Sequence, residues 1–195
     1  MHTFEKTMYP FIKLTDDVIT LRPYEFGDEQ ELLKAVKESL PELEPWMSWA
    51  NKSYSSETAL NFITLARAYW TSGVMYAFAI TDTQTGEFLG GCSLSHIHPI
   101  YHFCNLGYWV RTSRQRNGIA GRAAKLSARF AFEKVNLIRA EIVIAVGNEA
   151  SKCVALKIGA HEEGILLNRM VIGTRISDAY MFSLLPSDFG LAARL

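Results

Sequence analysis

The chain has 195 residues, 49% of them hydrophobic, which suits one domain with a core of ordinary size. Its 20 basic and 20 acidic residues cancel, so it lacks the basic excess of a nucleic-acid binder. The three cysteines (Cys92, Cys104 and Cys153) include no Cys-x-x-Cys pair, and no apolar run approaches the ~20 residues of a membrane span; this argues against a disulfide framework, a cysteine zinc site and a membrane protein.

Met1–Lys6 has no apolar signal core, and with the cysteine usage this predicts a reducing, cytoplasmic location. Val18–Arg22 alternates apolar and polar residues as a short strand ended by Pro23, and Asp28–Glu38 reads as a helix. Residues 40–49 carry Pro41 and Pro45 and read as a loop or short turns. Ser55–Thr58 supplies a capping signal for a second helix running to about Trp70. Three apolar segments follow, Met75–Thr81, Phe88–His96 and His102–Val110, separated by turn residues as in an antiparallel meander. The period turns helical over Gly118–Lys134. Arg139–Val146 is a buried type of strand, Glu149–Ile158 a helix closed by Gly159, and two strands near His161–Asn168 and Ala179–Leu185 end the series. The order predicts one α/β domain over 1–195, with its core at about 18–189. It has a mixed seven-stranded sheet and about four helices, parallel where the chain crosses into Arg139–Val146.

Charge is uneven along the chain. Eleven of the 20 acids fall at or before Glu57, whereas no acid lies between Phe88 and Phe132. Six basic residues lie from Arg111 to Arg129, around Gln115-Arg116-Asn117-Gly118-Ile119-Ala120-Gly121. A strand that runs into a glycine-bearing turn and opens a helix leaves bare amides at the helix N-terminus, which suits an anionic phosphate. The form Gln-x-x-Gly-x-Ala is loose on its own, and Gly118 would serve an ordinary turn equally well. Neither Gly-x-x-x-x-Gly-Lys-Ser/Thr nor a post-strand Gly-x-Gly-x-x-Gly is present.

Further motifs narrow the choice. Asn148 and Ser151 follow the strand through Val146, and Lys157, Gly159, Ala160, Glu163 and Gly164 follow in turn. With Gln115–Ala120 and the aromatic run Trp46-Met47-Ser48-Trp49, the chain from about Val18 to Phe189 resembles the GNAT acetyltransferases of the RimJ/RimL type, which acetylate N-terminal α-amines of ribosomal proteins. Ala160 and Ala120 stand where Phe and Gly are common. The resemblance implies acetyl-CoA as cosubstrate, with its pyrophosphate on the turn of Arg116, Asn117, Gly118, Ile119, Ala120 and Gly121. Arg111, Arg116, Arg122 and Lys125 are candidates for its phosphates, and Asn148 for its pantetheine. The strand edge Tyr108–Arg111 would pair with pantetheine, and an amide of Trp109 or Val110 would face the thioester oxygen. Ser151 would protonate or hydrogen-bond the departing thiolate. Asn148 also reads as a plain helix cap, and Ser151 as a helix-start serine bonded to backbone.

The acceptor implied is a protein N-terminus; a small amine, or a sensor that binds CoA without turnover, remains an alternative. The chain would act as a monomer or homodimer. An α-amine has a pKa of about 7.7–8 against about 10.4 for lysine. The absence of an obvious carboxylate base therefore favours an α-amine, with Glu141, Asp178 and His96 as the candidate bases. Trp46, Trp49 and Tyr54 either shape an acceptor pocket or fill the core. His96 and His98 would share a strand face with His102 nearby, but no third ligand at a known spacing completes a metal site. Cys153 is expected to be small and buried, with an acyl-cysteine route left open.

Overall fold

A continuous apolar strand such as Tyr76–Asp82 must bury both faces, and it does so in one mixed sheet between two helix layers. The structure, a computed structural model, describes residues 12–193, so the Met1–Lys6 segment lies outside the described residues. The strands are β1 (Leu14–Thr15), β2 (Ile19–Pro23), β3 (Tyr76–Asp82), β4 (Phe88–His98), β5 (Phe103–Val110), β6 (Arg139–Ala145), β7 (His161–Ile172) and β8 (Arg175–Leu184). Their order in the sheet is β1-β2-β3-β4-β5-β6-β8-β7, antiparallel throughout except at β5–β6.

The helices are α1 (Glu29–Glu38), α2 (Leu40–Leu43), α3 (Ser56–Ser72), α4 (Ile119–Glu133) and α5 (Glu149–Lys157). On one face α1 and α3 bury Leu32, Val36, Ala59 and Ile63 against Tyr24, Ala77 and Phe88. On the other, α4 and α5 pack Ala123, Ala124, Phe130 and Ala155 onto Phe78, Leu94, Leu106 and Ile142. A reciprocal Ser55–Thr58 capping box opens α3, and left-handed Gly73 closes it.

Two details extend the expected architecture. Residues 40–49 contain the one-turn helix α2, because Pro41 sits in its first turn, where a missing amide costs nothing. The sheet has eight strands because the two-residue β1 pairs Leu14 with Leu21 and Thr15 with Thr20, too short a stretch to show a period.

Candidate active site

The site begins where the sheet stops pairing. β5 and β6 pair only at Phe103–Arg139, Cys104–Ala140 and Asn105–Glu141. Beyond those three pairs the strands part, while β5 stays paired to β4 up to Val110 and β6 to β8 up to Ala145. A wedge opens between two well-held half-sheets. The Arg111 amide donates to the Leu89 carbonyl on the β4 side at 2.9 Å, and the His102 carbonyl accepts from Ile138 on the β6 side at 2.8 Å. Backbone groups alternate along a strand, so the amides of Tyr108 and Val110 face the wedge and that of Trp109 faces Gly91. Of the two amides expected toward a thioester, that of Val110 faces the wedge and that of Trp109 faces β4.

At the mouth of the wedge the chain turns into α4. Arg116 and Gly118 both adopt left-handed backbone, with φ of 64° and 75°. Gly118 is the N-cap of α4 and has no side-chain cap. The amides of Ile119, Ala120 and Gly121 therefore point out of the helix end without a protein partner among the described residues. No atom lies within 4 Å of the point where a Gly118 side chain would start. Such a vacant, amide-lined helix end fits a pyrophosphate. Gln115 and Asn117 brace it from inside. The Gln115 amide donates to the Val110 carbonyl at 3.2 Å, and Asn117 donates to the carbonyls of Arg114 (3.2 Å) and Gln115 (3.3 Å).

The basic residues divide into two groups. Among the described residues, the side chains of Arg116 and Lys125 have neither a hydrogen bond nor an ion pair, and Arg122 pairs with Asp16 at 2.8 Å. Arg111 is corrected: the residue is only 5% exposed and its side chain is turned inward. Its Nε donates to Glu38 at 3.1 Å, and its Nη1 donates to the Phe88 carbonyl at 3.2 Å and reaches Glu87 at 3.5 Å. Arg111 thus belongs to a clamp between α1 and the turn. Glu38 also accepts from the Ser113 amide at 2.8 Å, the Ser39 hydroxyl accepts from the Thr112 amide at 3.0 Å, and the Thr112 hydroxyl donates to Glu42 at 2.9 Å. The Arg111 guanidinium holds the Glu38 carboxyl down at about 2.

The wedge encloses a cavity of about 360 Å³. Its lining includes Trp46, Trp49, Trp109 and Met75 toward the α1–α3 side, and Asn148 and Ser151 toward α5. No Asp, Glu, His, Lys or Arg lines it among the described residues. The aromatic run roofs it. Arg175 donates to the Pro45 carbonyl at 3.0 Å and lies over the Trp46 ring, while the Trp49 ring meets Trp109 edge-on at 5.9 Å. Tyr54 instead belongs to the core beneath α1 and α3, so the expected aromatic cluster divides between roof and core.

At the α5 end, Asn148 caps the helix by accepting from the Ser151 amide at 3.1 Å, and also lines the cavity. The Ser151 hydroxyl lies 3.3 Å from the Tyr108 hydroxyl, which donates to the Ser151 carbonyl at 3.2 Å. Burial pushes the Tyr108 phenol up to about 12. In the sequence Tyr108 reads only as part of the strand edge. Its strand phase shared with Cys104, Leu106 and Val110, facing the α4–α5 layer, was the signal that could have singled it out.

None of the expected bases lines this cavity, although Glu141 and His96 line a smaller pocket that adjoins it. Asp178 accepts from the Asn168 amide at 2.8 Å, and Glu141 is paired with Arg139 at 2.9 Å. His96 bonds Ser95 and sits beside a register shift in β4, which breaks its expected shared face with His98. His98 accepts from the amides of Ile100 and Tyr101 and stacks on Phe103. Among the described residues no cluster of three or more His, Cys, Asp or Glu is placed to hold a metal ion. Cys92 and Cys104 are buried, whereas Cys153 is exposed and off the cavity wall, contrary to expectation.

A split parallel pair with a free strand edge, running into an uncapped helix end, is a layout that an extended pantetheine and its phosphates would fit, as in a CoA-dependent transferase. Residues 19–161 match the acetyltransferase (GNAT) domain family, and the chain belongs to it. It is an acetyl-CoA-dependent N-acetyltransferase of α/β GNAT fold. It is 28% identical over 173 residues to YdaF of Bacillus subtilis, named as a candidate ribosomal N-acetyltransferase, covering 88% of this chain and 93% of YdaF. A Vibrio cholerae structure described as a candidate ribosomal-protein-serine acetyltransferase superposes with a TM-score of 0.81 at 28% identity, covering 91% of this chain and 99% of that one. Mycobacterium smegmatis RimJ, solved with CoA-disulfide, shares the fold at a TM-score of 0.84 and 23% identity over 95% of this chain and 92% of that one. No helix among the described residues is long and apolar enough to cross a membrane.

Proposed function

We propose that the chain acetylates the N-terminal α-amine of a protein, ribosomal proteins being the class named for its relatives, by direct attack in a ternary complex. One observation carries this reading: the cavity wall lacks Asp, Glu, His, Lys and Arg. An α-amine with pKa about 7.7–8 is partly neutral near pH 7 and needs little help, whereas a lysine amine needs nearly ~5 kcal/mol of deprotonation.

Acetyl-CoA supplies an acetyl group activated as a thioester. The amides of Ile119, Ala120 and Gly121, with Arg116, Arg122 and Lys125, are assigned to its phosphates. Tyr108–Val110 offers the free edge, Asn148 a pantetheine contact, and the Val110 amide a donor for negative charge developing on the carbonyl oxygen. As the C–N bond forms and the C–S bond breaks, the nitrogen gives up a proton and the sulfur gains one. A thiolate whose thiol has a pKa of about 8.5 is a weaker base than the phenolate of a tyrosine near 12, so the Ser151–Tyr108 pair hydrogen-bonds the leaving thiolate without ionising, and the proton lost by the amine becomes the one gained by the sulfur.

Mass spectrometry of a panel containing free-N-terminal peptides, Nα-blocked lysine peptides and polyamines tests the acceptor. Acetylation at the α-amine alone is expected. Modification of polyamines while peptides stay untouched would replace this reading with small-amine transfer.

A further inference from the structure

A second pocket, of about 230 Å³, opens where β5 and β6 part, and shares Val143 and Met170 with the main cavity. Its other lining residues are His96, Phe103, Asn105, Glu141 and Arg169. It is therefore the charged continuation of a cavity that has no charged wall residue of its own.

The two pocket charges are not equivalent. Glu141 accepts from Arg139 at 2.9 Å. Arg169 is exposed, and among the described residues its guanidinium makes neither a hydrogen bond nor an ion pair. Its placement is built into the backbone. Between the pairs Leu166–Ala179 and Met170–Ser177, β7 holds three residues opposite the single Asp178. Asn168 takes a left-handed φ of 52° there, and its amide donates to the Asp178 carboxylate at 2.8 Å. Such a bulge re-aims side chains beside a site. Here it sets Arg169 in the wall of the second pocket and Met170 at the join with the main cavity.

We propose that this pocket receives the residues just behind the acceptor's amine, and that Arg169 selects an acidic side chain there. The inference rests on the α-amine reading. Arg169 makes a specificity contact and takes no part in the chemistry, so its effect lies in KM.

The test compares peptides with a common N-terminal serine that carry Asp, Asn or Lys at positions 2–4, assayed with the full chain at saturating acetyl-CoA. The wild-type chain is expected to favour the Asp peptide over the Asn peptide by about fivefold in kcat/KM, the scale of a solvent-accessible ion pair. Arg169→Gln is expected to level the three peptides, and Arg169→Glu to turn the preference toward Lys, which loss of folded protein would not do. An unchanged rank order in both variants, an equal loss on all three peptides, or no wild-type preference overturns the subsite alone. If no peptide is acetylated while acetyl-CoA binds, the α-amine reading falls and the subsite with it.

Discussion

Gly91 shows how much a single hydrogen matters at this site. A β-carbon there would lie 2.5 Å from the Tyr24 hydroxyl and 2.8 Å from the Trp109 indole nitrogen. Gly91→Ala is therefore expected to cost about 1–3 kcal/mol through overpacking, read as a lower urea midpoint, with the cavity floor disturbed. Gly118 works differently. Space around it is free, but its φ of 75° is left-handed. Gly118→Val should raise the acetyl-CoA Kd more than about tenfold by refolding the turn, and Gly118→Asn should do so less because Asn tolerates that backbone. Equal affinity of all three forms by calorimetry would remove the phosphates from this turn. For Ser151→Ala we expect kcat to fall by about ten- to a hundredfold with acetyl-CoA affinity nearly intact. Adding Tyr108→Phe should lower it by less than the product of the single losses, since the hydroxyls contact each other. Multiplying losses would show that they act separately.

Between elements, the clamp of α1 on the turn is the clearest case of acids serving a basic segment. Glu38 titrates at about 2 in the fold, against an ordinary value of 4.5, because Arg111 and the Ser113 amide favour its charged form. A depressed carboxylate contributes stability that is complete above its unfolded pKa and is lost as pH falls through the folded one. Unfolding scans should therefore show Glu38→Gln less stable than the wild-type chain by about 1 kcal/mol at pH 6, after allowance for solvent screening of a partly exposed pair. That gap should close between about pH 4.5 and pH 2. A gap independent of pH would point to packing instead of charge. This clamp also marks where the sequence stops being legible. The turn could be read at Gly118 and Ala120 because glycine conformation and helix period are local properties. Arg111 was read as a phosphate ligand because its partner, Glu38, is 73 residues away and only the folded sheet brings them together. The Asn148 cap is three residues from the amide it accepts and was readable; the Ser151–Tyr108 contact spans 43 and was not. The β7 bulge that places Arg169 depends on Asp178 of the neighbouring strand, and no local period announces it.

At the scale of the whole molecule, the sheet behaves as two plates, β1–β5 and β6–β8, hinged on the three residue pairs from Phe103–Arg139 to Asn105–Glu141. Each plate has its own ladder of hydrogen bonds, so the hinge is where relative motion costs least. A ligand laid along the free edge of β5 acts as a splint across that hinge. Its arrival should be felt far from the reacting atoms, as slower amide exchange in β6 and β8 as well as in β5, and the protection should vanish when the pantetheine arm is cut away and only the nucleotide end remains bound.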